Sequence, residues 1–387
     1  MKVSLLAGEL SGDKLGAALM EGLRDEVDDI SFHGVGGPGM MGQGLSSLFP
    51  MEELSVMGIA EVLPSYPALK RRLHQTAESV IEANPDALVT IDSPDFSLRL
   101  ANLVKSKTDI PTIHYVAPSV WAWRPGRAKK MAAHIDHVLA LLPFEPPYMT
   151  AAGMTCDFVG HPVVTEPIAS DAEVAAFRSD SNLGDAPIVL ALPGSRRTEV
   201  SRLGTVFGDT MERVTAAVPD AKVVLPAAAS VAGLVRDVAR SWSADVIVLD
   251  AASDPTGARK RAAFRAADVA LAASGTVSLE LAANATPMVV AYDMSWLSWQ
   301  IMSRMAQINT VTLVNLVTGA KPVPEFLGPE CRASSIANAV IRLLSDANAR
   351  DLQKQAMAET MVALGQGDEK PGIRAARSVL GALEAHA

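Results

Sequence analysis

Cysteine is nearly absent from this chain. Cys156 and Cys331 are its two, far apart and in no metal-ligand or redox spacing. That excludes a disulfide-stapled scaffold and a cysteine-rich metal site, and it fits reduced thiols in a cytosolic protein. Long apolar runs are lacking as well. None approaches the ~18 residues of a membrane-spanning helix, and the apolar stretch after Met1 is too short for a signal-peptide core. The sequence therefore predicts a protein that is soluble or at most peripheral. There is no basic excess: 34 Lys and Arg face 43 Asp and Glu, a net charge of −9. That balance argues against nucleic-acid binding, which needs a cationic face. Aromatic residues make up only 5% of the chain, so the near-neighbours Trp121 and Trp123 stand out. No solenoid repeat and no low-complexity tract is present.

What is present is a core-forming composition, 49% hydrophobic over 387 residues, long enough for two domains of roughly 150–200 residues. Apolar strand-like runs alternate with amphipathic helical stretches in two successive series. That pattern predicts an α/β protein with two Rossmann-like doubly wound domains facing a central cleft. We place the domains at 1–165 and 166–365, with a linker near Pro162–Pro167. A C-terminal helix in 366–387 either packs on the first domain or swaps between protomers.

In the first half, the strand Val3–Ala7 runs into Gly8-Glu9-Leu10-Ser11-Gly12-Asp13 and a helix from about Lys14. Glycines here permit close backbone approach to a ligand, and Ser11 or Asp13 could cap the helix. Glycines 34, 36 and 39 match a dinucleotide fingerprint literally, but Pro38 inside it and Gly42 and Gly44 after it favour a flexible loop lining the cleft. The segment with Val56, Met57, Ile59, Val62 and Leu63, followed by Leu69, Lys70, Arg71, Arg72 and Leu73, sets apolar residues beside cations. It suits either an amphipathic packed helix or contact with an anionic membrane or acyl chain. Ala87–Ile91 is a strand ending in Asp92-Ser93-Pro94-Asp95-Phe96. A carboxylate at such a strand end can take a proton from a hydroxyl; Asp95 could instead be a helix cap, and Asp92 suits the backbone of the turn. The run from His114 to Arg124 carries both tryptophans, as domain-edge packing or as a sugar- or lipid-facing wall. His161 reads as a hydrogen-bonded structural histidine at the hinge.

In the second half, the strand Pro187–Leu192 leads to Pro193-Gly194-Ser195-Arg196, where a loop and a permanent cation suit a phosphate; an ion pair of Arg196 with Glu199 is the competing reading. The run Val269–Ala273 reads as a buried strand. It turns at Ser274-Gly275-Thr276 into a helix bearing Glu280, so backbone N–H groups and a dipole end can meet a phosphate while Glu280 reaches a sugar hydroxyl. Asn315 reads as a loop residue able to meet a base or phosphate.

Taken together, Gly8–Asp13, Ile91–Phe96, His114–Arg124, Leu192–Arg196 and Ala273–Thr276 with Glu280 resemble, in order and spacing, the lipid-A-disaccharide synthase family of GT-B glycosyltransferases. The resemblance covers nearly the whole chain. It implies inverting transfer from UDP-2,3-diacylglucosamine to the 6-hydroxyl of 2,3-diacylglucosamine 1-phosphate, giving a β-1,6 disaccharide phosphate and UDP in lipid A biosynthesis. It implies Asp95 as the base and Arg196 on the diphosphate, with Ser195, Ser274, Gly275 and Thr276 holding phosphates. Glu280 would take the ribose and Asn315 the uridine side, and Glu9, Ser11 and Gly12 would belong to the first functional loop. It also implies a cytoplasmic location at the inner-membrane surface, which strengthens the membrane reading of Val56–His74, and it leaves a homodimer open. No cofactor and no metal are expected: Asp92 and Asp95 are three apart, not a D-x-D pair, so helix dipole and arginine would carry the leaving diphosphate. Leu10 replaces a usual alanine and Ala117 a usual serine, and Arg197-Thr198 follow the Pro-Gly-Ser-Arg motif. These departures bear on fine substrate preference only.

Overall fold

The computed structural model describes residues 1–54 and 59–386. The chain divides into two compact units, Met1–Thr165 with Leu364–Ala387, and Glu166–Ala363.

The first unit is built on seven parallel strands: β1 (Lys2–Ala7), β2 (Ser31–Val35), β3 (Ser46–Ser47), β4 (Ala87–Ile91), β5 (Thr112–Tyr115), β6 (His137–Ala140) and β7 (Thr155–Phe158). Their spatial order is β3-β2-β1-β4-β5-β6-β7. Strands β4, β5 and β6 are buried along their whole length, as parallel strands covered by helices on both faces must be. The polar residues within them are paired inside the protein: Thr90 with His114, Thr112 with Asp136 and His137 with Ser378.

The helix Pro371–Glu384 completes this unit by packing on the helix Leu10–Glu26. Glycine makes the contact possible. A Cβ on Gly22 would lie 2.5 Å from the Gly372 carbonyl oxygen, and one on Gly372 would lie 2.5 Å from that of Ala18. Polar ties lock it: the Ser378 hydroxyl donates to Asp157 (2.7 Å) and meets His137 Nε2 (2.7 Å), and Arg377 pairs with Glu26 at 2.9 Å.

The second unit repeats the plan with β8 (Ile188–Leu192), β9 (Lys222–Ala227), β10 (Val246–Asp250), β11 (Val269–Ala273), β12 (Met288–Tyr292) and β13 (Glu325–Leu327), in the order β10-β9-β8-β11-β12-β13. Both sheets therefore reverse winding direction once, between β1 and β4 and between β8 and β11. Open parallel sheets bind ligands at the carboxyl ends of the strands at such a reversal. Gly8–Asp13 and Asp92–Asp95 flank the first reversal, and Pro193–Arg196 and Ser274–Thr276 flank the second.

Two local expectations are corrected. The first helix begins at Leu10, not Lys14, and Glu9 is its N-cap without a side-chain cap bond. Asp13 lies inside that helix, 4% exposed, and its carboxylate accepts from the amides of Gly37, Gly39 and Met40 at 2.8–3.0 Å. The glycine run 34–39 is thus neither a dinucleotide loop nor a flexible one. It wraps around Asp13 and enters the short helix Pro38–Gly42, and a Cβ on Gly37 would sit 2.8 Å from the Asp13 carboxylate.

Candidate active site

In the first unit the loops after β1 and β4 meet closely. A Cβ on Gly8 would come 2.5 Å from the Ser93 hydroxyl, and Gly12 sits against Ile91, its Cβ position 3.5 Å away. A Cβ at position 12 would make only ordinary contact there. Glu9 is half-buried beside it and Ser11 is exposed. Beyond β4, Asp92 and Ser93 both take left-handed backbone, φ 50° and 42°, and Val116 after β5 has φ 85°. Such conformations cost of order 1–3 kcal/mol each and cluster where a fold holds a working loop.

Around these strained residues lies a cavity of about 210 Å³ lined by Asp92, Pro94, His114, Val116, Ser119, Trp123 and Arg127, among others. Asp95 stands in the first turn of the helix Pro94–Lys105 with a fully exposed side chain, 3.9 Å from the Arg127 guanidinium. The cavity is thus lined by Asp92, while Asp95 faces solvent beside it. His114 is 1% exposed and bonded to the Thr90 hydroxyl at 2.8 Å. Burial first, and Arg127 second, pull its pKa down to about 4, so it is a neutral imidazole at pH 7.

The tryptophan loop is anchored from beneath. Trp121 donates to Glu145 (3.2 Å) and packs edge-on against Phe144, with centroids 5.1 Å apart. Glu145 is 3% exposed and also accepts from the Leu142 amide. Burial pushes its pKa up to about 7 against the hydrogen bonds that lower it. Trp123 carries the Arg124 guanidinium 4.3 Å over its ring. His161 accepts from the Val163 amide, and burial lowers its pKa to about 4, which is the structural role expected.

In the second unit the two phosphate-type turns differ. Glu199 closes the first: its carboxylate accepts from the amides of Ser195 (3.1 Å) and Arg196 (3.3 Å) and pairs with the Arg196 guanidinium at 3.3 Å. Gly194 has φ 122°, and a Cβ there would strike Glu199 at 2.5 Å. The Arg196 side chain is still 65% exposed. Among the described residues no carboxylate closes the second turn in this way. Gly275 has φ 153°, Gly275 and Thr276 are exposed, and Thr276 caps the helix Val277–Ala283 with no side-chain bond. Glu280 pairs with Lys260 at 2.6 Å.

Asn315 departs from its expected place. It lies in the helix Leu313–Thr318, 1% exposed. Its amide donates to Thr310 (3.1 Å) and to the Val323 carbonyl (3.0 Å) and accepts from the Val323 amide (3.1 Å). It braces the loop before β13, with its side chain bonded to partners within the chain.

The segment read as membrane-facing divides. Val56 and Met57 lie outside the described residues. Ile59, Val62 and Leu63 belong to the helix Ile59–Ala83. Arg72 is tied to Glu53 at 2.6 Å and lies 4.5 Å over Phe49, and Leu73 packs against the first core. Lys70 and Arg71 are exposed and Leu69 is half-buried.

A family model described as lipid-A-disaccharide synthetase matches residues 3–375. The chain belongs to the lipid-A-disaccharide synthase family. Named relatives agree: the lipid-A-disaccharide synthase of Ruegeria pomeroyi is 58% identical over 99% of this chain and 96% of the relative, and that of Rhodospirillum centenum is 46% identical over 98% and 94%. Solved structures share the fold. A putative UDP-N-acetylglucosamine 2-epimerase from Listeria monocytogenes aligns with TM-score 0.64 at 15% identity, covering 100% of this chain and 96% of that one. A Neisseria meningitidis UDP-GlcNAc 2-epimerase, solved with UDP-GlcNAc, aligns with TM-score 0.64 at 11% identity over the full length of both. The GT-B fold and the glycosyltransferase family implied by the motifs are therefore borne out.

As a lipid-A-disaccharide synthase family member, the chain sets three further charged groups beside its motif residues: Glu199 on Arg196, Lys260 on Glu280 and Glu145 on Trp121. From the sequence Glu199 reads only as a competing partner for Arg196, and Lys260, 20 residues from Glu280, has no local signal. Glu145 follows β6 in Leu142-Pro143-Phe144-Glu145, and a carboxylate beside an aromatic just past a buried strand was the available clue.

Proposed function

We propose that the chain transfers 2,3-diacylglucosamine from UDP to the 6-hydroxyl of 2,3-diacylglucosamine 1-phosphate. A carboxylate of the first unit takes the hydroxyl proton. The oxygen attacks the anomeric carbon, the carbon–oxygen bond to UDP breaks, and UDP leaves with the electron pair while the configuration inverts. Arg196 and the turn Ser274–Thr276 meet the charge that grows on the diphosphate, with Ser195 beside them, and Glu280 takes the ribose. Glu9, Ser11 and Gly12 shape the acceptor side. The protein works at the cytoplasmic face of the inner membrane, where both acylated substrates reside.

The observation that carries this reading is positional. Every motif that could serve the reaction lies at the carboxyl end of a parallel strand, with carboxylates at the reversal of one sheet and cation-plus-amide turns at that of the other. Asp95 is the assigned base. The lining of the 210 Å³ cavity by Asp92 favours a second reading in which Asp92 takes the proton.

The test gives purified protein both diacylated substrates with EDTA present and follows UDP. Absence of UDP release, or release only after metal is added, overturns the metal-independent transferase. Asp95→Asn and Asp92→Asn then decide the base: the true one lowers kcat by ~10²–10⁴ and leaves UDP binding intact.

A further inference from the structure

The helix Trp296–Met305 buries none of its residues. Among the described residues, eleven large apolar side chains are exposed, and four of them sit on this helix: Trp296 (74%), Leu297 (63%), Ile301 (49%) and Met305 (39%). The other seven are scattered along the chain, as single surface apolar residues usually are. Leu297, Ile301 and Met305 follow one another at intervals of four, so they share a face, and Trp296 stands at its start. One strut is visible beneath. Trp299 lies over Gly328, whose φ is 54° and where a Cβ would meet the indole at 2.5 Å.

Charge decides what this face fits. The whole stretch between Asp293 and Glu325 contains no Asp or Glu; its charges are Arg304 and Lys321. This is a cationic, apolar segment in a chain of net charge −9. Arg304 is held on the helix by the Gln300 carbonyl and side chain at 2.7 and 2.6 Å, one position before Met305. A short helix with an apolar face, a tryptophan at one end and a cation bonded to an amide side chain rather than a carboxylate is suited to the interface of an anionic bilayer. Its place in the sheet agrees. The helix follows β12, and β11 beside it runs into Ser274–Thr276, so both leave the same edge of the sheet.

We propose that the helix Trp296–Met305 is an interfacial anchor that docks the second unit on an anionic phospholipid surface, next to the turn that receives the donor diphosphate. This deepens the transferase reading, because an acylated donor would then be drawn from the membrane on which the helix rests.

The experiment floats the full-length protein with phosphatidylcholine vesicles, with and without phosphatidylglycerol. It compares wild type with Trp296→Ser/Ile301→Ser and with Arg304→Glu, all at exposed positions, after circular dichroism has confirmed the fold. The anionic vesicles should carry the wild type, and the double variant should partition at least about tenfold more weakly; Arg304→Glu should lose the preference for phosphatidylglycerol. Turnover on substrates dispersed in detergent should match wild type, while turnover on vesicle-borne substrates falls. Unchanged flotation of the double variant overturns the proposal. So does a shift of that variant from dimer to monomer in sedimentation with flotation intact, since the face would then bind a second copy. Loss of turnover in wild type on every substrate would remove the transferase reading and leave the docking result standing.

Discussion

Glu199 holds Arg196 at two points, accepting from its backbone amide and pairing with its guanidinium, both at 3.3 Å. The same carboxylate takes the Ser195 amide, so one side chain caps the helix Arg197–Ala217 and aims the cation proposed for the diphosphate. Glu199→Ala should therefore cost about 1 kcal/mol of stability as a lost cap and also raise KM for the UDP-sugar. Glu199→Gln, which keeps an acceptor, should recover part of both. A stability loss with unchanged KM would confine Glu199 to capping.

The contact of Leu10–Glu26 with Pro371–Glu384 leaves no room at Gly22. Gly22→Ala should destabilise the protein by about 1–3 kcal/mol through overpacking against the Gly372 carbonyl. In urea, the midpoint of the first unit's transition should drop. An unchanged midpoint would mean that the two helices separate without strain.

Glu145 makes stability depend on pH. Its pKa in the folded chain is raised from the ordinary 4.5 to about 7, chiefly by burial. Between those values the folded state binds a proton that the unfolded state has released. Stability is thus fully present below about 4.5, declines as pH rises toward 7, and levels off above. The decline is on the order of 3 kcal/mol. Glu145→Gln should flatten that slope when denaturation is measured from pH 5 to pH 8. An equally steep decline in the variant would assign the slope to another group.

Lys260 and Glu280 form a half-exposed ion pair. Such pairs contribute about 0–1 kcal/mol, so Lys260→Met should barely alter thermal unfolding. Glu280→Gln should leave stability equally unmoved yet weaken UDP binding by about tenfold or more in calorimetry, as loss of a charged hydrogen bond to ribose would. Wild-type affinity in the Gln variant would take the ribose away from Glu280.

Much of the fold was legible because parallel strands announce themselves. Val269–Ala273 is an unbroken apolar run and Ala87–Ile91 is broken only by Thr90, and both are buried end to end. The turns after them were legible from small and acidic residues at fixed places. Pairings distant in sequence were not. Asp13 looked like a local cap, and only folding brings Gly37, Gly39 and Met40 onto its carboxylate. Gly12 reads as a turn glycine, whereas it lies inside a helix already begun at Leu10. Asn315 carried the polar signature of a binding residue, but its partners Thr310 and Val323 consume that polarity inside the protein. Residue type reports what a side chain can bond, and the tertiary fold decides whether the partner is a ligand or the chain itself.

The helix Pro371–Glu384 belongs to the first unit yet follows the whole second unit in sequence. Synthesis at the ribosome runs from the N-terminus at about 5–20 residues per second. Residues 166–363 are therefore made, and free to fold, before the first unit receives its last helix. Until then the surface around Gly22, His137 and Asp157 has no cover. The second unit is the one that can mature early, and the half bearing Asp92 and Asp95 is finished last. Premature termination anywhere in the final segment would release a chain whose proposed donor-side unit is whole and whose proposed acceptor-side unit is not.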